Sequence, residues 1–336
     1  MNLITGATGI VGTHLLGVLI QNQQKCFALY RKDSKREKTE KFLQLLGISS
    51  SEINSYLSWI QADLSDSEAL ASALQPVDQV YHCAACVSFA PKDDVELLDT
   101  NVNGTATLVD LALRHSIKKL AFVSSIAALG APKNEELVDE KIPWNPETPQ
   151  TTYAWSKYLS EMEVWRGQEE GLSTVIVNPG IILTNAYWRR SSGAFTQRAK
   201  NPRGFYPPAQ GGFVTAHDVS RALFILMESE VQGERFILVS TNKAYKEVLQ
   251  SLAAPWKHQG PQRKLSKFWV WGFYYLEYCL SLLRLKKRIL SKGLIDSLFS
   301  TTHYNGGKIE DYTSFRYTEW ELGIKQINAQ AHWGNR

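Results

Sequence analysis

Met1-Asn2-Leu3-Ile4-Thr5-Gly6-Ala7-Thr8-Gly9-Ile10-Val11-Gly12 opens the chain. A short apolar run that breaks into glycines three apart and resumes as a helical pattern reads as a strand, a tight turn and the start of a helix. Such a turn can cradle phosphate. Gly6 and Gly9 let backbone approach a pyrophosphate, the N–H groups and dipole of the helix start across Thr8, Ile10 and Val11 meet its charge, and Gly12 permits close helix–strand packing. An ordinary glycine turn is the competing reading, because G-x-x-G-x-x-G departs from the dinucleotide fingerprint G-x-G-x-x-G.

The residues that follow decide between the two. After the opening run, further apolar runs end near Tyr30, Ile60, His82, Ser125 and Asn178, and helical patterns separate them. The predicted helices run over Ile10–Gln21, the charged stretch to Leu46, a segment to Leu74 capped by Ser65 or Asp66, Val95–His115, and Thr152–Gly171. Strands that lack in/out alternation and are joined by helices predict a doubly wound parallel sheet covered on both faces. The glycines therefore stand where a dinucleotide site needs them. Beyond Asn185 the rhythm turns irregular and rich in Trp, Tyr, Pro and Gly, with helices expected over 216–228, 243–253, 267–283 and 291–300 and a strand over 234–240. The expected division is a nucleotide-binding domain over 1–184, rejoined by 213–254, and a smaller, mostly helical substrate lobe from 185–212 and 255–336.

A chain of 336 residues with 44% hydrophobic content can bury a large core, and a net charge of +4 gives no argument for nucleic acid. Four cysteines make no disulfide framework, no signal peptide precedes the first strand, and a reducing cytoplasm is the expected compartment. Cys83-Ala84-Ala85-Cys86 matches C-x-x-C, but no second ligand pair stands at zinc spacing, so small residues at a strand end explain it and no metal is expected. The most apolar stretch, Phe268 to Leu283, falls short of the ~20 residues that span a bilayer. A buried or groove-lining helix is the expectation there. An interfacial membrane helix, helped by the basic run Arg284 to Arg288, is the alternative.

Two residues with the chemistry of acid/base work stand four apart on a predicted helix, in Tyr153-Ala154-Trp155-Ser156-Lys157. A Lys ammonium beside a phenol favours the phenolate and would lower the Tyr153 pKa toward neutrality. Tyr304 to Lys308 repeats the spacing, but its Gly-Gly would break a helix. Val123-Ser124-Ser125 ends a strand, and ligands of such sheets bind outside the carboxyl ends of the strands. A serine that merely caps the strand end is the bland alternative for Ser125.

Together these pieces resemble the extended short-chain dehydrogenases/reductases, of Rossmann-type fold, and within them the dihydroflavonol-reductase-like branch. The glycine turn, Asp63-Leu64, His82 to Ala85, Asn101 to Thr105, Val123 to Ser125, Tyr153 to Lys157 and Asn178 to Gly180 follow the family's order. The resemblance implies Tyr153 as acid/base, Lys157 on the nicotinamide ribose, and Ser125, five residues before Gly130, on the substrate oxygen. It also implies Asp63 and Leu64 at the adenine, Ala84 and Ala85 at the pyrophosphate and ribose, Pro179 and Gly180 at the nicotinamide, and Asn101 behind Lys157. A homodimer through a four-helix contact is a further implication.

An acidic residue after the second strand would bind the ribose 2′-OH of NAD, whereas this chain has Arg31, and Lys38 follows on the next helix. A guanidinium there accommodates the 2′-phosphate, so NADP(H) is favoured over NAD(H). Three functions compete: a carbonyl reductase or alcohol dehydrogenase for a small hydrophobic substrate, with Phe205, Tyr206, Trp269, Trp271, Phe273 and Tyr274 as candidate pocket aromatics; a nucleotide-sugar epimerase holding NAD tightly; and a non-catalytic NADP-binding regulator. Ile126-Ala127 lacks the acidic pair of the dehydratase branch. Gly130 stands where flavonoid reductases carry Asn or Asp, and the cinnamoyl-CoA-reductase signature is absent.

Overall fold

In the computed structural model, residues 1–130, 137–146, 150–184, 193–282 and 288–331 are described. Their strands, in chain order, are β1 (Asn2–Thr5), β2 (Cys26–Tyr30), β3 (Leu57–Gln61), β4 (Gln79–His82), β5 (Lys119–Val123), β6 (Ser173–Pro179), β7 (Ile181–Leu183), β8 (Phe205–Tyr206), β9 (Gln210–Thr215), β10 (Glu234–Leu238), β11 (Thr241–Ala244) and β12 (Arg263–Lys264). The helices are α1 (Ile10–Gln21), α2 (Asp33–Leu45), α3 (Ser50–Tyr56), α4 (Ser67–Leu74), α5 (Asp94–Leu98), α6 (Gly104–Arg114), α7 (Thr152–Glu169), α8 (Gly193–Ala199), α9 (Ala216–Glu228), α10 (Tyr245–Ala253), α11 (Lys267–Leu282), α12 (Lys292–Ser297), α13 (Lys308–Tyr312) and α14 (Trp320–Ala329).

Seven strands form one parallel sheet in the order β3-β2-β1-β4-β5-β6-β10. The unbroken apolar runs of these strands have a simple cause. Alternate residues enter two separate cores: Ile4, Ala121 and Val123 pack with Leu15, Leu19 and Leu223 of α1 and α9, whereas Leu3, Leu120 and Phe122 pack with Leu74, Leu108 and Val164 of α4, α6 and α7. Burying both faces leaves no strand position for polar alternation. The predicted strand over 234–240 does join this sheet, as β10 beside β6.

The predicted helix over Val95–His115 is interrupted. A π-turn at Asp99–Asn103 separates α5 from α6, and its Asn101 carbonyl accepts from the Thr105 hydroxyl at 2.5 Å and the Ser160 hydroxyl at 2.8 Å. Side-chain donors that compete for a backbone carbonyl are a known cause of such local widening. The irregular stretch after residue 180 also holds a small sheet, β11-β9-β7, that short mixed sequences did not announce. Its strand β11 takes Lys243 and Ala244 out of the predicted helix and pairs them with Gly211 and Gln210.

The apolar stretch at Phe268 forms α11, but not as a buried or groove-lining helix. Tyr274 and Glu277 are its buried residues, while Phe268, Trp269, Phe273, Tyr275, Leu276, Tyr278 and Leu282 are exposed. Composition predicts that apolar residues prefer the interior, and here the interior takes the carboxylate. Of the basic run, residues 284–287 lie outside the described residues, as do Tyr187 and Trp188.

Candidate active site

The carboxyl ends of β1 to β6 line one edge of the sheet, and the strand order reverses between β1 and β4, which marks the crevice in which doubly wound sheets bind ligands. At β1 the chain turns at Gly6 with φ +65°, a conformation that favours glycine. A Cβ on Gly6 would stand 2.5 Å from the Ala84 nitrogen, and one on Gly12 would stand 2.3 Å from the Gly6 carbonyl oxygen. Strand β4 and helix α1 thus close in on a turn that only glycine allows. Gly9, exposed at the N-cap of α1, gives that helix no side-chain cap. The N–H groups over Ile10 and Val11 are therefore left for an external acceptor, which fits a dinucleotide pyrophosphate.

At the neighbouring strand ends, Arg31 Nη1 meets Asp63 Oδ2 at 3.4 Å, both side chains being exposed. Asp63 also accepts from the Ser65 backbone N–H at 3.1 Å and its hydroxyl at 3.0 Å. Burial pushes the Asp63 carboxyl up, but the Ser65 and Arg31 contacts outweigh it and hold it below the usual carboxylate range. The Arg31 charge also reaches Cys86, so the ends of β2, β3 and β4 share one electrostatic neighbourhood. Lys38 is exposed on α2, whereas Arg36 lies over the Tyr30 ring at 5.4 Å. Leu64 is buried, touching the site where a Gly104 Cβ would be.

Tyr153 and Lys157, the expected acid/base pair, lie on α7, a helix whose inward stripe is polar: Ser156, Lys157, Ser160 and Glu161 are all buried. Thr151 caps its start, accepting from the Ala154 N–H at 3.1 Å. Lys157 Nζ donates to the Val123 carbonyl at 2.7 Å and stands 4.3 Å from the Phe122 ring centroid. Burial brings Lys157 down to about 8, against partial opposition from Glu161 and Cys83. The Tyr153 phenol faces the Ser125 hydroxyl closely enough for that hydroxyl to affect its titration, and its ring meets Phe89 edge-on at 5.4 Å. Burial pushes Tyr153 above the ordinary phenol value, with the Ser125 hydroxyl pulling the other way. The expected lowering by Lys157 is not seen here. The ammonium is spent on Val123, and desolvation of the phenol dominates.

The protein family model described as the NAD dependent epimerase/dehydratase family matches residues 2–199. The chain belongs to that family. It is an NAD(P)-dependent enzyme of the extended short-chain dehydrogenase/reductase type. It is 29% identical over 262 residues to sterol demethylase protein B of Methylococcus capsulatus, covering 77% of this chain and 76% of that one. It is 27% identical over 208 residues to cinnamoyl-CoA reductase 1 of Arabidopsis thaliana, covering 57% of this chain and 58% of that one. The UDP-glucose 4-epimerase of Thermus thermophilus, solved with NAD, superposes with a TM-score of 0.72 over 98% of this chain and 97% of that one, at 18% identity. At that identity the likeness is one of fold.

The partners of several motif residues could not be read from the chain, because they are far away in it. The Ala84 N–H donates to Thr5 Oγ1 at 3.2 Å, and Thr5 Oγ1 lies 2.7 Å from His82 Nδ1. His82 Nε2 lies 3.0 Å from Thr105 Oγ1, whose proton goes to the Asn101 carbonyl. One tautomer satisfies every bond: Nε2 carries the hydrogen and Nδ1 accepts from Thr5. Burial holds His82 at about 3, so it stays neutral and fixes the Ala84 loop. The Asn101 side chain bonds the Cys86 backbone in both directions and the Ser156 hydroxyl, rather than Lys157.

On the far side of Lys157, fully buried Glu161 accepts from Asn178 Nδ2 at 2.6 Å and faces Arg235 Nη1 at 3.5 Å. The same Asn178 nitrogen donates to the Ser125 carbonyl at 3.0 Å. Gly130 is buried, and a Cβ there would stand 2.0 Å from the Pro143 carbonyl. Backbone thus fills the space that an Asn or Asp would need. A Cβ on Gly180 would stand 2.5 Å from the Gly212 carbonyl, so Pro179-Gly180 is also where β6 hands over to the small sheet. Cys83, pushed up to about 12 by burial, stays a thiol, and no metal-binding cluster occurs among the described residues. Of the aromatic candidates, Phe205 lines a cavity of about 500 Å³ with Pro207, Leu265 and Leu298, while Trp269 and Phe273 are exposed on α11.

Proposed function

We propose that the protein reduces a carbonyl group, or oxidises the matching alcohol, of a small hydrophobic substrate with NADP(H). The observation that supports this best is that Tyr153 and Lys157 stand one turn apart on α7, with the Tyr153 phenol close enough to the Ser125 hydroxyl at the end of β5 to feel it and Lys157 bonded to the Val123 carbonyl of that strand. Ser125 orients the substrate oxygen, and Tyr153 gives its phenolic proton to that oxygen as it becomes an alcohol. In the opposite direction Tyr153 takes the proton back. A bound nicotinamide supplies or accepts the hydride. Gly6, Thr8, Gly9, Ile10 and Val11 would hold the pyrophosphate, Asp63 and Leu64 the adenine, Ala84 and Ala85 the bridging ribose and phosphate, and Pro179 and Gly180 the nicotinamide.

Arg31, with Lys38 in support, favours the 2′-phosphate of NADP(H), because a guanidinium pairs with phosphate through parallel N–H bonds. Similarity to a sterol demethylase protein and a cinnamoyl-CoA reductase favours an apolar substrate over a nucleotide sugar. Exposed Val95 and Leu98 beside Leu159 and Met162 of α7 favour a homodimer through these helices. The testing experiment is a fluorescence titration with NADPH and NADH, after mass spectrometry of any co-purified nucleotide. NADPH should bind tighter, and Arg31→Ala should weaken it by about tenfold or more while barely changing NADH. Equal losses would place the 2′-phosphate elsewhere, and tightly retained NAD would move the reading to a nucleotide-sugar epimerase.

A further inference from the structure

Between Phe268 and Leu282 the chain carries one charged residue, Glu277, and the fold turns it inward. Glu277 accepts from the Ile289 and Leu290 N–H groups, each at 3.1 Å, and Arg288 Nη2 donates to the Tyr274 hydroxyl at 2.9 Å. The polar side of α11 is therefore used up in holding the chain that returns along it. The opposite side is left to solvent, with Phe268 77%, Trp269 73%, Tyr275 60%, Leu276 55% and Leu282 67% exposed. Single exposed apolar residues are ordinary, but a contiguous aromatic face of this kind marks a partner.

Charge indicates which partner. Residues 263–299 contain eight lysines and arginines and two carboxylates, Glu277 being one of them, for a net charge of +6. The whole chain is only +4, so the rest of it is net negative and the basic charge is concentrated in this stretch of sequence. Arg263, Lys264 and Lys267 are exposed at the start of α11. A second copy laid on this face would set basic segments against basic segments. An anionic bilayer presents the complementary charge, and Trp and Tyr rings suit its interface. At 16 residues, α11 is about 24 Å long, and no described helix is long and apolar enough to cross a membrane. Its dimensions suit a helix lying flat at an interface.

We propose that the outward face of α11 docks this protein on the surface of an anionic lipid bilayer. The inference is independent of the substrate and cofactor assigned above. The docking helix is also tied to the site. The backbone that Glu277 holds leads into α12, where a Cβ on Gly293 would stand 2.7 Å from Thr151 Cγ2, on the residue that caps α7.

The test is co-sedimentation of the full chain with vesicles of phosphatidylcholine alone and of phosphatidylcholine mixed with phosphatidylglycerol. The protein should bind the mixed vesicles at least about tenfold better, and lose that preference in high salt. Trp269→Glu with Leu276→Glu should weaken binding on the order of a hundredfold, since two large apolar side chains no longer enter the interface. That variant should keep the melting temperature and NADPH titration of the wild type, because both positions are exposed. Lys264→Glu with Lys267→Glu should abolish the anionic preference by itself. Wild-type protein left in the supernatant with both vesicles would overturn the proposal, as would binding that neither variant changes. A dimer in sedimentation velocity that Trp269→Glu with Leu276→Glu dissolves, without vesicle binding, would assign the face to a second copy instead.

Discussion

Helices α7 and α11 both depart from the usual rule, one by what it buries and the other by what it exposes. The first buries Ser156, Lys157, Ser160 and Glu161, and the second exposes Phe268, Trp269, Tyr275 and Leu276. In α7 the polar interior is stable because each group has a partner: Val123 for Lys157, Asn178 and Arg235 for Glu161, and backbone carbonyls for the two serines. In α11 the one buried charge is likewise satisfied, by backbone N–H groups, while the apolar side faces solvent. The lesson is that helix polarity alone does not tell inside from outside. Satisfied partners do.

The sharpest way to break the comparison is Tyr153→Phe. Loss of the phenolic proton should lower turnover by about a hundredfold to ten-thousandfold while cofactor titration stays nearly unchanged. Comparable turnover would leave α7 with a structural polar stripe only.

Next in size is Glu161→Ala, which leaves the Arg235 and Asn178 donors facing a cavity and should cost about 3–5 kcal/mol in urea unfolding. The outward pair on α11, replaced by glutamates, should leave the melting temperature where it is. A small loss at Glu161 would mean that the buried network is not what holds α7.

The third effect is a pH dependence. Burial lowers Lys157 to about 8 from 10.5, so between those values the unfolded chain holds the extra proton and this residue's contribution makes stability rise with pH. The span corresponds to about 3 kcal/mol. Buried Tyr153 and Cys83, both raised, act in the opposite direction at alkaline pH. Wild type and Lys157→Met should therefore be compared by urea unfolding at each pH, and their difference should change by that amount across the window. A flat difference would mean that folding does not lower the Lys157 pKa.

Much of the fold was legible in the chain itself. Unbroken apolar runs separated by helical periods announce strands buried on both faces, because each face is covered by its own helices, and the glycine turn announces backbone that must come close to something. That Tyr153 and Lys157 share one helix beside a strand ending in two serines was legible too, from their spacing and the apolar run before them, whereas the choice of Ser125 between the two serines came from the family resemblance. Gly130 was visible as a departure, but its cause, the Pro143 carbonyl, was not.

What the sequence determined by itself is local: periodicity, turn chemistry and the spacing of side chains on one element. Only the tertiary structure decided that His82 would bridge Thr5 and Thr105, that Glu161 would meet Asn178 and Arg235, and that Lys157 would be held by Val123 instead of tuning Tyr153. It also decided that the most apolar helix would turn its carboxylate inward and its aromatics outward. The physical reason is the same in each case. Whether a polar group can be buried depends on the donors and acceptors that distant strands bring to it, and those distances are not written in any one segment of chain.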